Sequence, residues 1–171
     1  QRSAPAANAK KPRKMPITNR SKKPNPKPAN RNNTDPSRMT SKVEYLGDLR
    51  TRATHLQSGI EIITDAPLDN QGRGEAFSPS DLCATSLASC MMTIMGISAR
   101  SRELDITGAR AEVTKIMAAN PRRIARVEIR LIMPKRDFSE RDRQLLETAG
   151  RTCPVALSLG DGVEQVVEFE W

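Results

Sequence analysis

The sequence predicts an α+β fold whose strands form a largely antiparallel sheet, and three observations support this class. Short segments rich in β-branched and apolar residues are separated by tight turns, which is typical of neighbouring antiparallel strands. Residues 82–99 carry no charge and form a segment too long for a strand, which indicates a helix. A second helical segment precedes the last strand, so the predicted order is βββ-α-ββ-α-β.

Three strands are predicted before the long helix, at residues 42–47, 49–56 and 59–64. Ser58-Gly59 has the composition of a turn and separates the second strand from the third. Residues 66–77 are rich in Gly, Asn, Asp and Pro, and this composition predicts a loop that leads into the helix.

The long helix has a clear start signal, because Ser78 can cap it and Pro79 suits its first position. Its uncharged stretch at residues 82–99 approaches the length of a membrane span. Five Ser or Thr, one Gly and few large aliphatic residues favour instead a helix buried on nearly all sides of a soluble fold. We therefore expect no membrane association.

Two strands are predicted after the helix, at residues 111–117 and 126–133, with a turn at Asn120-Pro121. The second strand alternates between two sets of residues: Val127, Ile129, Leu131 and Met133 on one face, and Arg126, Glu128 and Arg130 on the other. This period of two predicts one buried face and one exposed face.

A second helix is predicted at residues 139–149. Ser139 and Asp142 have the spacing of a capping box, and Gly150 is the predicted stop. Two elements complete the prediction, a short helical stretch that begins at Cys153-Pro154 and a closing strand at residues 163–171.

The positive charge of the chain is concentrated at its amino terminus. The chain has 28 Lys and Arg against 20 Asp and Glu, but residues 1–38 alone carry +10 and the remaining residues carry −2. Residues 1–38 also hold seven of the twelve prolines and no aromatic residue, so we predict a disordered basic tail and a domain at residues 39–171. The tail is either a solvated extension or a basic arm for nucleic acid or anionic lipid. The near-neutral domain offers no general basis for binding nucleic acid.

Other classes are disfavoured by composition. Three cysteines do not suit a secreted disulfide scaffold, and no secretory signal is evident, so we expect a cytoplasmic protein. Three cysteines and one histidine without a close ligand pair make a poor zinc site, and we expect no metal. No Gly-rich phosphate loop lies between a strand and a helix, and we expect no cofactor.

The cysteines are the candidate reactive residues. Cys83 and Cys90 lie seven residues apart on one predicted helix, about 10.5 Å along its axis, and this exceeds the reach of a disulfide. Cys153, next to Pro154, is expected at a helix start, where amide dipoles would stabilise a thiolate. Cys153 could pair with Cys90 or Cys83, or the cysteines could be inert core residues.

The combined motifs resemble the OsmC/Ohr superfamily. The segment Ser78-Pro79-Ser80-Asp81-Leu82 is followed by Cys90, eleven residues after the Pro, and later by an isolated Cys153-Pro154. The predicted element order matches too, and the resemblance covers about residues 42–171. A subgroup of OsmC-like proteins is similar in several further segments: His55 to Gly59, Thr64 to Pro67, Asp69-Asn70 and Phe77-Ser78-Pro79.

The resemblance implies an OsmC-like domain at residues 39–171 that folds as an intertwined homodimer, with sheets wrapped around central helices and active sites at the interface. It implies a thiol peroxidase for organic hydroperoxides, in which Cys90 attacks as a thiolate and Cys153 resolves the sulfenic acid as a disulfide. An external dithiol, such as a lipoyl protein, would then reduce the disulfide. Cys83 has no role in that scheme and is expected to pack in the core.

The resemblance also implies an Arg near Cys90, held by an acid early in the long helix. Arg50 fits the placement of this Arg best, and Arg52 is its close competitor because alternation puts both on one side of a strand. Peroxidases of the family carry a Glu directly after the Pro, where this chain has Ser80. Asp81 is the nearby acid, so an Arg50–Asp81 pair is expected.

A second hypothesis is a non-peroxidase OsmC-like dimer that binds an apolar small molecule at its interface. The missing Glu at Ser80 supports it, and Met91, Met92 and Met95 would line the pocket unless they only fill the core. His55, the single histidine, either assists Cys90 or is a strand residue with a hydrogen-bonded tip.

Overall fold

The computed structural model describes residues Met39–Trp171, so the predicted tail at residues 1–38 lies outside the described residues. The α+β class and the order of the predicted elements are confirmed. The elements are β1 (Ser41–Gly47), β2 (Arg50–His55), β3 (Glu61–Thr64), α1 (Pro79–Arg100), β4 (Arg110–Ala119), β5 (Arg122–Ile132), α2 (Glu140–Arg151), α3 (Pro154–Leu159) and β6 (Glu164–Glu170).

The strands form two three-stranded sheets. The first has the order β1-β2-β3 and the second the order β4-β5-β6. Three of the four strand pairs are antiparallel, as predicted, whereas β6 is parallel to β5. Parallel neighbours need a crossover connection, and α2 and α3 supply it between β5 and β6.

The core lies between the second sheet and the helices. Along β5 the side chains of Val127, Ile129 and Leu131 are buried, which confirms the predicted alternation. The opposite face of this sheet carries ion pairs between strands, formed by Arg126 with Glu128 and Glu164 and by Arg130 with Glu112 and Glu170. This face of the second sheet is therefore polar and exposed to solvent.

Helix α1 begins with a complete capping box. The Ser78 hydroxyl accepts from the Asp81 amide at 3.1 Å, and the Asp81 carboxylate accepts from the Ser78 amide at 2.8 Å. By length and mean hydropathy, which is 1.6, α1 meets the criterion for a membrane span, as core helices of soluble proteins also do. It packs against α2, α3 and β4. Only 33% of its apolar window is buried, so the prediction that the helix is buried on nearly all sides is wrong for a single copy of residues 39–171.

Helix α2 continues past the predicted stop, so the prediction that Gly150 ends it is wrong. Gly150 is buried, and a Cβ atom at this position would lie only 3.1 Å from the Sδ atom of Met95 on α1. A larger residue here would require the Met95 side chain to move by a few tenths of an ångström, so the glycine eases the packing of α2 against α1. Ser139 caps α2 by accepting from the Asp142 amide at 3.2 Å, but the Asp142 carboxylate bonds the Ser139 hydroxyl rather than its amide.

The first sheet has one apolar face that is exposed. Its register places Val43 beside Ala53 and Ala53 beside Ile62, and cross-strand partners present their side chains on the same face. Val43 is 66%, Tyr45 64% and Ile62 45% exposed. The opposite face carries the ion pairs of Arg52 with Glu44 and Glu61. A contiguous exposed apolar face of this kind marks an interaction surface.

Candidate active site

The structure brings Cys90 and Cys153 together. Cys90 lies on α1 and is half-buried, whereas Cys153 is the fully buried residue that precedes α3, and α1 packs against α3. The two thiols are close enough that Cys90 raises the pKa of Cys153 by hydrogen bonding and by charge.

Burial is the largest cause that raises the pKa of the Cys153 thiol. The amide of Ala156 donates to its Sγ atom at 3.4 Å and acts in the opposite direction, as does the amide of Val155. Burial and the neighbouring Cys90 outweigh these amides. The amides at the start of α3 therefore favour the Cys153 thiolate, as predicted, but burial and Cys90 have the larger effect, and this residue is a protonated thiol near neutral pH.

The remaining sulfur-containing residues lie in different surroundings. Cys83 is half-buried on α1 and lies outside the cluster of apolar side chains that forms the core, so core packing is not confirmed for it. Met91 and Met95 are fully buried in that core, and Met92 packs against it. This confirms core filling, one of the two predicted uses of the methionines.

Arg50 and Asp81 have different partners within the described chain. The Asp81 carboxylate lies 2.6 Å from the Nζ atom of Lys115 on β4, and that ammonium also donates to the Ser80 hydroxyl at 2.7 Å. The Nη1 atom of Arg50 lies 3.1 Å from the Glu75 carboxylate in the loop before α1. The expected Arg50–Asp81 pair is therefore not formed within one copy of residues 39–171.

Lys115 was missed as a site residue, although the sequence carries a signal for it. Along β4 the inward positions alternate with exposed ones, and Lys115 follows Val113 on the inward face. A lysine at an inward position of an amphipathic strand needs a polar or anionic partner. Asp81 and Ser80 supply that partner.

Burial alone would raise the pKa of Asp81, but hydrogen bonds from Lys115 and Ser78 and the charge of Lys115 outweigh it. The pKa of this carboxyl is therefore held below its ordinary value of 3.8. When folding lowers the pKa of a carboxyl, its ionised form stabilises the folded protein at every pH above the pKa of the unfolded state. This contribution is lost as the pH falls through the pKa of the folded state.

We expect Asp81→Asn to lower the free energy of unfolding at neutral pH by less than about 1 kcal/mol, because solvent screens the Asp81 carboxylate, whose side chain is 38% exposed. The difference from the parent protein should shrink below pH 3.8, where the carboxylate becomes protonated. Urea unfolding from neutral pH to below pH 3.8 measures this difference in the free energy of unfolding. The matched control is Asp69→Asn, which removes the charge from the exposed ion pair of Asp69 with Arg122. A difference that stays constant with pH would contradict this assignment.

Arg52 and His55 are engaged elsewhere. Arg52 pairs across the first sheet with Glu44 and Glu61, each at 3.5 Å. The Nδ1 atom of His55 lies 2.7 Å from the Ser58 hydroxyl, and the residue is exposed. This confirms the interpretation of His55 as a strand residue with a hydrogen-bonded tip.

A cavity of about 570 Å³ lies at the amino-terminal end of α1. Its wall combines apolar side chains with the charged groups near the helix start: Ile63, Ala76, Phe77, Ala84 and Val113, with Glu75, Asp81, Thr85 and Lys115. Such a cavity suits a small molecule with an apolar body and a polar end. Among residues 39–171, no group of three His, Cys, Asp or Glu side chains could hold a metal ion.

Residues 72–168 match the family model of OsmC-like proteins. The chain belongs to this family. A structure from Psychrobacter arcticus 273-4, named for osmotic stress induction and a detoxification response, is 55% identical and has a TM-score of 0.74 over 77% of this chain and 96% of its own.

More distant OsmC-like structures share the fold. An organic hydroperoxide resistance protein OsmC from Legionella pneumophila is 15% identical, with a TM-score of 0.62 over 77% of this chain and 95% of its own. The organic hydroperoxide resistance protein OhrB of Bacillus subtilis is 18% identical, with a TM-score of 0.57 over 77% of this chain and 98% of its own. No curated protein is significantly similar to the chain.

Proposed function

We propose that this OsmC-like protein is a thiol peroxidase that reduces organic hydroperoxides through Cys90 and Cys153. The observation that carries the proposal is the meeting of the two thiols, one half-buried and one fully buried, at the contact of α1 with α3. Proteins of the same fold are named for organic hydroperoxide resistance, which agrees with this chemistry.

Cys90 is the attacking residue, because it is the more accessible of the two thiols. Its thiolate attacks the outer oxygen of the hydroperoxide, an S–O bond forms, the O–O bond breaks, and the leaving alkoxide takes a proton to become an alcohol. The sulfenic acid then condenses with the Cys153 thiol, loses water and leaves a disulfide. An external dithiol, such as a lipoyl group, restores both thiols by two exchange steps.

The environment of Cys153 suits the second step rather than the first. Because its pKa is raised, Cys153 stays protonated and does not compete for the peroxide. Its position against Cys90 supports rapid disulfide formation, which protects the sulfenic acid from further oxidation.

We propose that the active assembly is a homodimer, since OsmC-like proteins are commonly dimeric. The occupant that best fits the exposed apolar face around Val43, Tyr45 and Ile62 is a second copy of the chain. In this assembly Arg50 supplies the cation that stabilises the thiolate and polarises the O–O bond, since a guanidinium stays charged and offers several donors.

We place the protein in the cytoplasm.

The experiment that tests the function is steady-state consumption of cumene hydroperoxide by the purified protein with dihydrolipoamide as reductant. We expect turnover that depends on both the protein and the dithiol. If the protein consumes no hydroperoxide with any dithiol, the proposed function is wrong. Binding of an apolar small molecule is then the second candidate, and the cavity beside Phe77 and Lys115 is the observation in its favour.

A further inference from the structure

Arg50 begins β2 and Asp65 directly follows β3, so both flank the last paired residues of these two strands in the first sheet. The register pairs Arg52 with Ile63 and Thr51 with Thr64. One further step in this antiparallel register places Arg50 across from Asp65, and opposed residues extend their side chains from the same face. Asp65 belongs to the segment Thr64 to Pro67, for which the peroxidase scheme has no role.

Asp65 is a fully buried carboxylate that anchors the loop before α1. Its Oδ2 atom accepts from the amide of Glu75 at 3.0 Å, and its own amide donates to the carbonyl of Phe77 at 3.1 Å. These two bonds fix the part of the loop from which the Glu75 side chain reaches Arg50. Asp65 therefore controls the position of a residue that contacts the guanidinium.

Two buried polar atoms remain at this place without a hydrogen-bond partner among residues 39–171: the Oδ1 atom of Asp65 and the Nε atom of Arg50. A buried carboxylate oxygen and a buried guanidinium nitrogen each carry a large desolvation cost when they stand alone. Opposite charges facing each other across a strand pair reduce that cost for both.

The charge state of Asp65 agrees with this arrangement. The amide of Glu75 is the largest cause that lowers the pKa of its carboxyl; burial acts against it, and the amide of Arg73 and the charge of Arg50 lower it further. Asp65 is therefore ionised near neutral pH although it is buried.

We propose that Asp65 is the positioning residue for Arg50, holding its guanidinium at the end of the first sheet through opposite charge and through the anchored loop. The proposal rests on the proposed function, in which Arg50 is the cation of the peroxidase site. It explains how the site keeps a fixed Arg although Ser80 replaces the usual Glu and Asp81 is engaged by Lys115. The exposed Glu75 carboxylate contributes less, because solvent screens it.

Asp65→Asn tests the proposal, because the amide keeps the shape of the side chain and an acceptor for Glu75 but removes the charge. In single-turnover reactions with cumene hydroperoxide we expect the rate constant to fall about tenfold, a coupling within the range seen for residues linked by one network of charges and hydrogen bonds. Asp69→Asn, the same substitution at an exposed position, should change the rate less than about twofold. If Asp65→Asn does not fold, Asp65→Ser provides a smaller neutral acceptor for the same comparison.

A double-mutant cycle separates positioning from a general structural role. In an Arg50→Gln background, Asp65→Asn should change the rate less than about twofold, because the residue acts through Arg50. An equal fall in both backgrounds would overturn the proposal.

A readout that does not depend on activity keeps the two proposals distinguishable. The Nε–H resonance of Arg50, identified by its loss in Arg50→Gln, should shift in Asp65→Asn and stay in place in Asp69→Asn. If this shift occurs in a protein that consumes no hydroperoxide, the positioning of Arg50 by Asp65 stands and the peroxidase function fails. A resonance that does not move in Asp65→Asn overturns the positioning role.

Discussion

Cys90→Ser should lower the rate of hydroperoxide consumption about a thousandfold or more, because a hydroxyl at this position cannot replace a thiolate that forms a covalent intermediate. The rate is measured by loss of cumene hydroperoxide under saturating dithiol. The variant should still fold, because Cys90 is only half-buried and the Ser side chain is only slightly smaller than that of Cys.

Cys83→Ser is the matched control, since Cys83 lies on the same helix, is similarly half-buried and has no role in the proposed chemistry. We expect it to retain the parent rate within about twofold, as substitutions away from a site generally do. Equal losses in the two variants would show that the helix, rather than the Cys90 thiol, is what the reaction requires.

The second large effect is expected on assembly. Val43→Glu combined with Ile62→Glu places two charges on the exposed apolar face of the first sheet. A dimer that buries this face would have to desolvate both charges without partners, at a cost of several kcal/mol. We expect light scattering to give about twice the 18.9 kDa of one chain for the parent protein and a single-chain mass for the variant.

Lys42→Glu provides the control for assembly, because Lys42 is exposed on the opposite face of β1. It should leave the dimer intact. A parent protein that is monomeric at micromolar concentration, or a variant that stays dimeric, would contradict the assignment of this face to a second copy.

Local sequence signals were sufficient for most elements of the fold. The start of α1 was predictable because Ser78 and Pro79 act within one helical turn. The alternation of β5 was predictable because burial repeats every second residue, and Val127 and Ile129 carry that pattern by themselves. These signals require no knowledge of distant parts of the chain.

Features that depend on distant partners were not predictable in the same way. The division into two sheets and the parallel pairing of β6 follow from strand contacts between residues far apart in sequence. Gly150 has the usual signal of a helix stop, yet the approach of Met95 from another helix decides its role. The partners of Arg50 and Asp81 depend on Glu75 and Lys115, which only the folded chain brings to them.

The most direct test of the two-cysteine mechanism is the mass and peptide map of the reduced protein after one equivalent of cumene hydroperoxide. We expect a rapid loss of two hydrogens and a single new cross-linked peptide pair that joins Cys90 to Cys153. Thiols that remain free in the folded protein, or a disulfide that contains Cys83, would contradict it.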